Sequence, residues 1–168
     1  MSISTCCPAP RSTHSPTICR FGAEATVDIE AFSSPQARID RVRDLVGGFG
    51  ADLVMDCSGH PSAGPEGIEF LRDGGTYGEM GQFTDAGSIT TSWHRICAKD
   101  LNVLGSWAFT ANDLALGIKM LDRTRNKYPW FDMQTLYSFD EEGVSRAIKD
   151  AMAMKTVKST IVPWPDLV

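Results

Sequence analysis

The chain has 168 residues, of which 42% are hydrophobic and 22% are charged, a balance typical of one globular domain. Its formal net charge of -5 argues against nucleic acid or an anionic membrane as a partner, because the sequence offers no basic patch to attract phosphate. No apolar run approaches the roughly 20 residues that span a bilayer, and the N-terminus lacks the apolar core of a secretory signal. Five cysteines, at positions 6, 7, 19, 57 and 97, form an odd, scattered set that indicates reduced thiols and a cytoplasmic location.

Residues 1–19 differ in composition from the rest of the chain and are predicted to be irregular. Three prolines stand there among many Ser, Thr and Cys residues. Pro16 is expected to break any helix between Arg11 and Arg20, because proline lacks a backbone donor and clashes with the preceding turn. The segment also holds Cys6, Cys7, His14 and Cys19. Their spacing is not typical of a zinc-ligand set, so we expect them to occur together by coincidence.

Strands and helices are predicted to alternate after residue 20. ATVDI (25–29) is a short strand rich in β-branched residues. Ser34 and Pro35 mark the start of a helix, as its N-cap and first helical residue. Gly47 and Gly48 end this helix, and its apolar residues follow at helical spacing: Ile39, Val42 and Val46.

The middle of the chain continues the alternation. DLVMDC (52–57) is a strand with an apolar centre, as a sheet covered on both faces requires. Residues 61–72 are predicted to be helical, although Gly64, Pro65 and Gly67 weaken the first half. DGG (73–75) ends this helix before a strand at 76–80, and another strand follows at 101–105.

The last third contains two predicted helices and a closing strand. Leu114, Ile118 and Leu121 mark an amphipathic helix that Asn112 or Asp113 would cap. Ser138 and Glu141 form an S-x-x-E capping box before a second helix, which carries Val144, Ile148 and Ala151. Residues 157–163 are the closing strand. Strands that alternate with helices imply parallel pairing through right-handed crossovers, so the predicted fold class is α/β with helices on both faces of a parallel sheet.

Four segments in order carry a resemblance to a known family: GADLVMDCSGHP, LRDGGTYGEMGQ, LNVLGSW and SFDEEGVSRAIKDAMAMKTVKSTIVP. Over roughly residues 20–163 they resemble the C-terminal part of a medium-chain, zinc-containing alcohol dehydrogenase. RFGAEATVDIE (20–30) also resembles the family's helix end and third strand. No G-x-G-x-x-G occurs in the chain, so the phosphate-cradling turn is absent.

The resemblance implies an incomplete doubly wound parallel sheet, made of the later strands of a Rossmann domain. The family's first strand is missing and residues 1–19 are a doubtful second strand, so the sheet would lack its centre and leave edges and apolar faces open. It further implies three segments: an irregular segment 1–19, a partial dinucleotide-binding domain 20–135, and a helix and strand 136–168 that return to the catalytic domain in the family.

The resemblance implies NAD or NADP as the cofactor and a contact set at the strand ends: Cys57, Ser58, Gly59, Met80, Gly81, Gln82, Ser106, Trp107 and Lys158. Residues 57–59 would lie against the nicotinamide. The backbone of residues 80–82 would form hydrogen bonds with the carboxamide, and Ser106 and Trp107 would close the pocket. Lys158 would reach toward the pyrophosphate. The alternative is that these are small residues at strand ends, where the chain turns.

No catalytic or metal-binding residue is predicted. In the family, a catalytic zinc polarises the alcohol or carbonyl oxygen, and its ligands lie N-terminal to the nucleotide domain. Cys57 has no base or orienting acid near it in sequence, which argues against a nucleophile. His60 and His94 are expected on the surface. Asp56 and Asp85 are too far apart to predict a carboxylate pair.

Two functional hypotheses follow. In the first, the chain is a piece of an NAD(P)-dependent oxidoreductase acting on a small-molecule alcohol or carbonyl substrate, and it is inactive alone. In the second, it is a stand-alone nucleotide-binding or dimerisation module. A Rossmann-like methyltransferase is a weaker alternative, because no glycine-rich loop precedes Asp52.

A homodimer is a further expectation from the resemblance. In the family the strand corresponding to 101–106 lies at the sheet edge and pairs with its twin. Trp93 and Trp107 stand near this edge, and large aromatic side chains are common at interfaces. The unpaired backbone groups of an exposed edge strand can also pair with a strand of another chain. The alternative is that the charged residues Lys99 and Asp100 prevent this edge from pairing with another chain.

Overall fold

The computed structural model describes residues 3–6, 15–82 and 84–164, with side chains described from residue 18 onward. Within these ranges, strands and helices alternate over most of the chain. In chain order the elements are β1 (Ile3–Cys6), α1 (Ser15–Arg20), β2 (Ala25–Asp28), α2 (Pro35–Leu45), β3 (Ala51–Asp56), α3 (Ala63–Phe70), β4 (Leu71–Glu79), α4 (Trp93–Ala98), β5 (Asn102–Gly105), α5 (Ala111–Thr124), a 3-10 helix (Trp130–Met133), β6 (Gln134–Ser138), α6 (Glu141–Met152) and β7 (Lys158–Val162).

The strands form three parallel sheets in the part of the chain that the structure describes. β1 pairs with β2, β3 with β4 and β4 with β5, and β6 with β7. The predicted α/β class with parallel strands is confirmed. None of the helices in the described ranges has both the length and the apolar character needed to cross a membrane.

The prediction that residues 1–19 are irregular is wrong for two stretches. Ile3–Cys6 forms β1, whose residues pair in parallel register with Ala25–Asp28. Helix α1 begins at Ser15, so Pro16 lies in its first turn. A proline is tolerated there because the first backbone N–H groups of a helix have no intrahelical acceptor. Cys7 and His14 lie outside the described residues, as do residues 165–168.

Strand β4 begins earlier than predicted. Helix α3 ends at Phe70, and β4 starts at Leu71 and runs through the DGG segment that was expected to separate the two. The register shifts within this stretch: Ala51 pairs with Leu71, but Leu53 pairs with Thr76. Gly74 takes up the irregularity with a φ of 71°, which a residue with a side chain rarely adopts.

The N-cap prediction is confirmed for α2 and wrong for the two later helices. Ser34 accepts a hydrogen bond from the Ala37 amide, as expected. Helix α5 is capped by Thr110, and Asp113 is its capping-box partner rather than the cap. Helix α6 is capped by Asp140, whose side chain accepts from the Gly143 amide at 2.7 Å, because Ser138 is still in β6.

Helix α2 builds a core that joins two of the sheets. Val27 of β2 is fully buried. It clusters with three other buried residues, Ile39 and Val42 of α2 and Phe70 of α3, and the partly buried Val54 of β3 packs against this cluster. Arg38 of α2 binds Glu66 of α3 through two hydrogen bonds of 2.6 Å, and its third nitrogen donates to the carbonyl of Phe32 at 2.8 Å. The ion pair of Arg38 and Glu66 therefore connects α2 to α3 beside the sheet.

The opposite face of the three-stranded sheet is apolar and open. By register, Met55 and Leu104 flank Gly78 on this face, and Leu53 lies on the same face of β3. Their exposed fractions are 57% for Leu53, 54% for Met55 and 60% for Leu104. The sheet is thus covered by α3 on one side and leaves large aliphatic side chains in solvent on the other.

Glu69 at the end of α3 gives the fold a dependence on pH. Two hydrogen bonds from Arg95 hold the pKa of Glu69 below its ordinary value of 4.5, against the opposing effect of partial burial. A carboxyl with a lowered folded-state pKa stabilises the fold above its unfolded pKa, and this stabilisation is lost as the pH falls through the folded pKa. We expect Arg95→Met to flatten the loss of stability below about pH 4.5 by roughly 1 kcal/mol or less, since the pair is partly exposed.

Urea denaturation of both proteins between pH 3 and 7 checks this expectation. Arg125→Met is the control, because Arg125 pairs with Asp122 at 3.4 Å on an exposed helix surface. Parallel stability curves for Arg95→Met and the unchanged chain would contradict the assignment.

Candidate functional site

The three-stranded sheet brings most of the predicted contact residues to one edge. Asp56, Glu79 and Gly105 end their strands side by side in register. The chain then continues as Cys57–Gly59, Met80–Gln82 and Ser106–Trp107, so eight of the nine predicted residues lie at this edge. Two backbone bonds extend the pairing into these loops: the Met80 amide donates to the Asp56 carbonyl at 3.0 Å, and the Ser106 amide donates to the Glu79 carbonyl at 2.9 Å.

Lys158 is not among the residues brought together. It is exposed at the beginning of β7 and pairs with Gln134 in a different sheet. Its expected role toward a pyrophosphate remains a prediction.

The first two loops approach each other so closely that only glycine fits. Gly59 has a φ of 69°, and a Cβ built there would lie 2.7 Å from the Gly81 carbonyl oxygen. A Cβ on Gly81 would lie 2.5 Å from the Gly59 nitrogen and 2.9 Å from the Ser58 nitrogen. Backbone atoms cannot rotate away from such contacts, so the two glycines fix the spacing between the loops.

Two carboxylates at the strand ends hold these loops. Asp56 is buried, and its Oδ1 accepts from the Ser58 amide and the Ser58 hydroxyl, both at 2.7 Å. Oε1 of Glu79 accepts from the amides of Gly81 at 2.8 Å and Gln82 at 3.1 Å. Sequence reasoning compared Asp56 with Asp85 and overlooked Glu79. The available signal was that each acidic residue is the last but one of a predicted strand and stands two positions before a small residue, Ser58 or Gly81.

Tyr77 lies between the two carboxylates. Its ring is buried beneath α3, where Gly67 leaves the room: a Cβ on Gly67 would lie 2.6 Å from the Tyr77 ring. The hydroxyl lies 2.9 Å from Oε2 of Glu79 and 3.3 Å from Oδ2 of Asp56. Burial, together with the two acidic neighbours, raises the pKa of Tyr77 far above its usual range, so this hydroxyl keeps its proton and acts as a donor.

Cys57 has the same acidic neighbours. Partial burial, followed by the charges of Asp56 and Glu79, raises the pKa of the Cys57 thiol above its ordinary value. The thiolate is therefore disfavoured at neutral pH, which argues against Cys57 as a nucleophile. The sequence-based reasoning reached the same view from the lack of a neighbouring base.

A shallow cleft opens beside the second and third loops. It has a volume of about 230 Å³ and is lined by Glu79, Met80, Gln82, Gly105, Ser106 and Trp107. Four of these are predicted contact residues. The cleft offers backbone groups and apolar side chains at the carboxyl ends of parallel strands, where ligands of open α/β sheets bind.

The described residues do not fit a zinc site. Within 3–6, 15–82 and 84–164, no three His, Cys, Asp or Glu side chains are grouped to hold a metal ion. The carboxylates at the strand ends already accept bonds from protein amides and hydroxyls. His60 is exposed, and its Nδ1 lies 2.8 Å from the Ser62 hydroxyl oxygen.

The chain is similar to curated sugar-alcohol dehydrogenases. Erythritol/L-threitol dehydrogenase of Mycolicibacterium smegmatis is 37% identical over 88 residues, 52% of this chain and 23% of that protein. Sorbitol dehydrogenase of Halalkalibacterium halodurans is 30% identical over 125 residues, 71% of this chain and 35% of that protein. The matches thus cover about a third or less of these relatives' length.

Solved structures share the fold. An alcohol dehydrogenase of Thermotoga maritima matches with a TM-score of 0.80 at 19% identity, over 96% of this chain and 43% of that one. A zinc-binding dehydrogenase of Sinorhizobium meliloti 1021, described as putative and bound to NADP, matches with a TM-score of 0.75 at 22% identity, over 96% of this chain and 44% of that one. Residues 14–123 match the family described as zinc-binding dehydrogenase. The chain belongs to this family of alcohol dehydrogenases, and the resemblance seen in its sequence is confirmed.

Proposed function

We propose that this chain forms the nicotinamide-facing part of the NAD(P) site of an alcohol or polyol dehydrogenase, which transfers hydride between an alcohol or carbonyl substrate and the cofactor. The observation that carries the proposal is the convergence of three loops at one sheet edge, with Gly59 and Gly81 in backbone contact. Open α/β sheets bind their ligands at the carboxyl ends of the strands, which is where these loops lie. The curated relatives' names point to polyols as the substrate class.

We further propose that the chain has no dehydrogenase activity by itself. Its sequence contains no G-x-G-x-x-G turn, and in doubly wound domains this turn and the following helix N-terminus hold the pyrophosphate. The bound cofactor would supply the hydride acceptor, and the residues described here would bind and orient its nicotinamide half. The Met80, Gly81 and Gln82 backbone and Ser106 and Trp107 are the groups proposed to do so.

A titration with the two halves of the cofactor tests the proposal. We expect nicotinamide mononucleotide at millimolar concentration to shift the NMR amide signals of residues 57–59, 80–82 and 106–107, and adenosine monophosphate to leave them unchanged. No oxidation of erythritol or sorbitol is expected with NAD(P)+ and zinc. Equal response to both halves, or none to nicotinamide mononucleotide, would contradict the proposal. Saturable micromolar binding of intact NAD(P)H would instead favour the stand-alone nucleotide-binding module.

We also propose that the chain forms a homodimer through the β5 edge. β5 is the last strand of its sheet in the described ranges, and Val103 and Leu104 are 46% and 60% exposed. Lys99 does not blunt this edge, because it is buried and its Nζ donates to the Ile68 carbonyl at 2.8 Å.

Sedimentation measures the dimer directly. We expect Leu104→Lys to weaken dimerisation at least tenfold, because edge lysines oppose strand pairing. Leu53→Lys is the matched control, since Leu53 is equally exposed at 57% but lies on β3, away from this edge. A monomeric unchanged chain, or equal effects of both substitutions, would argue against the β5 interface.

We propose that the chain divides into a first segment, 1–19, a partial dinucleotide-binding domain, 20–135, and a returning segment, 136–168, as the family resemblance implies. The proposed cytoplasmic location rests on the composition and on the scattered cysteines, of which Cys19, Cys57 and Cys97 are free.

A further inference from the structure

The hydroxyl of Tyr77 connects two loops that are distant in sequence. It lies 2.9 Å from Glu79 Oε2 and 3.3 Å from Asp56 Oδ2, at the ends of two adjacent strands. Tyr77 is 3% exposed and Asp56 is 7% exposed, so water competes little for these bonds. Polar networks that are shielded from water fix geometry more strongly than exposed ones.

Each carboxylate uses its other oxygen to hold its own loop. Oδ1 of Asp56 binds the Ser58 amide and hydroxyl, and Oε1 of Glu79 binds the Gly81 and Gln82 amides. A path of hydrogen bonds therefore runs from one loop through Tyr77 to the next. The same two loops approach each other closely at Gly59 and Gly81, so a shift of either carboxylate would change the spacing between the loops.

The ring and the hydroxyl of Tyr77 have separate roles. The ring packs against Gly67 of α3, a contact that phenylalanine would keep. The hydroxyl carries one proton and can donate it to one carboxylate at a time, and the shorter distance favours Glu79. Loss of the hydroxyl would therefore release chiefly the Glu79 loop and leave the strand and helix packing in place.

We propose that Tyr77 is a positioning residue that holds the Ser58–Gly59 and Gly81–Gln82 loops in register through Asp56 and Glu79. That this loop arrangement favours nicotinamide binding rests on the proposed function. The positioning of the loops by Tyr77 does not depend on any ligand, because all the groups involved belong to the chain itself.

Amide hydrogen exchange in Tyr77→Phe tests the proposal on the full chain. We expect exchange at Gly81 and Gln82 to accelerate about tenfold, that at Ser58 to accelerate less, and amides of β6 and β7 to keep their rates. Tyr137→Phe is the matched control, because the buried Tyr137 hydroxyl donates to Asp150 Oδ2 at 3.0 Å in a different sheet. It should leave the exchange of Ser58, Gly81 and Gln82 unchanged.

Titration with nicotinamide mononucleotide separates this inference from the proposed function. A dissociation constant about fivefold higher in Tyr77→Phe, and unchanged in Tyr137→Phe, would support both. If the unchanged chain binds no nicotinamide mononucleotide, the proposed function fails, and the exchange rates alone decide the role of Tyr77. Exchange at Gly81 and Gln82 that is unaltered in Tyr77→Phe, or accelerated evenly across all sheets, would overturn the positioning role.

Discussion

Replacing Gly81 with alanine is expected to lower the free energy of unfolding by about 2–3 kcal/mol, the cost of forcing extra atoms into a filled space. The added Cβ would lie 2.5 Å from the Gly59 nitrogen and 2.9 Å from the Ser58 nitrogen, and it would also crowd Asp56 Oδ1 at 3.1 Å. The two nitrogens belong to the neighbouring loop and Asp56 ends the strand before it, so that loop must move away as a unit. The bonds from Ser58 to Asp56 would be strained, and the response of this edge to nicotinamide mononucleotide should disappear.

Gly78→Ala, in the strand that leads into the Gly81 loop, is the control. A Cβ on Gly78 would meet Met55 Cγ at 3.6 Å, an ordinary contact with a flexible side chain. Urea denaturation should therefore show a change of less than about 1 kcal/mol for this variant. Similar stabilities of Gly78→Ala and Gly81→Ala would mean that the two loops are not in the close contact described.

Glu66→Ala is expected to cost about 3 kcal/mol, because it leaves the largely buried guanidinium of Arg38 without its carboxylate partner. The two side chains are only 14% and 13% exposed, and they share two bonds of 2.6 Å. The hydrogen bond to Glu66 is the main cause of the raised pKa of Arg38, and this effect is lost in the variant. The guanidinium nevertheless stays charged, because the ordinary pKa of arginine is too high for it to lose its proton in a protein. We expect the loss of stability to arise at the contact between α2 and α3, whose residues surround Val27 in the core.

Asp52→Ala is the matched control for an exposed ion pair. Arg72 and Asp52 share one bond of 2.5 Å, with side chains 44% and 83% exposed. We expect a cost of about 0.5 kcal/mol, as for most surface pairs. Chemical denaturation should also show that Arg38→Met with Glu66→Leu is more stable than Glu66→Ala alone. Equal costs for Glu66→Ala and Asp52→Ala would contradict the importance of burial at Arg38.

The sequence predicted elements well where one local signal dominated. The Ser34-Pro35 pair, followed by apolar residues at helical spacing, located α2 because capping and proline chemistry act within one turn. The strands β2, β3 and β5 were located to within two residues. Prediction was poorer where tertiary contacts decide: DGG signals a turn in isolation, but pairing with β3 draws the segment into β4.

The sequence predicted that three loops of the candidate site lie at one sheet edge, but it did not predict the hydrogen bonds between them. Parallel strands end on the same edge, so the loops after 56, 79 and 105 could be grouped from the sequence alone. The network of Asp56, Tyr77 and Glu79 could not, because it depends on the register that places Asp56 opposite Glu79. Gly67 shows the same limit: in sequence it weakens a helix, whereas in the structure it makes room for the Tyr77 ring.

The open face formed by Leu53, Met55 and Leu104 has a practical consequence for anyone who purifies this chain. A contiguous aliphatic surface in water binds fluorescent hydrophobic dyes and adheres to chaperones and to column matrices. Such dye binding is ordinarily taken as a mark of a molten globule. For this polypeptide, the fully folded state would give the same fluorescence signal, so near-ultraviolet circular dichroism is the better measure of native packing.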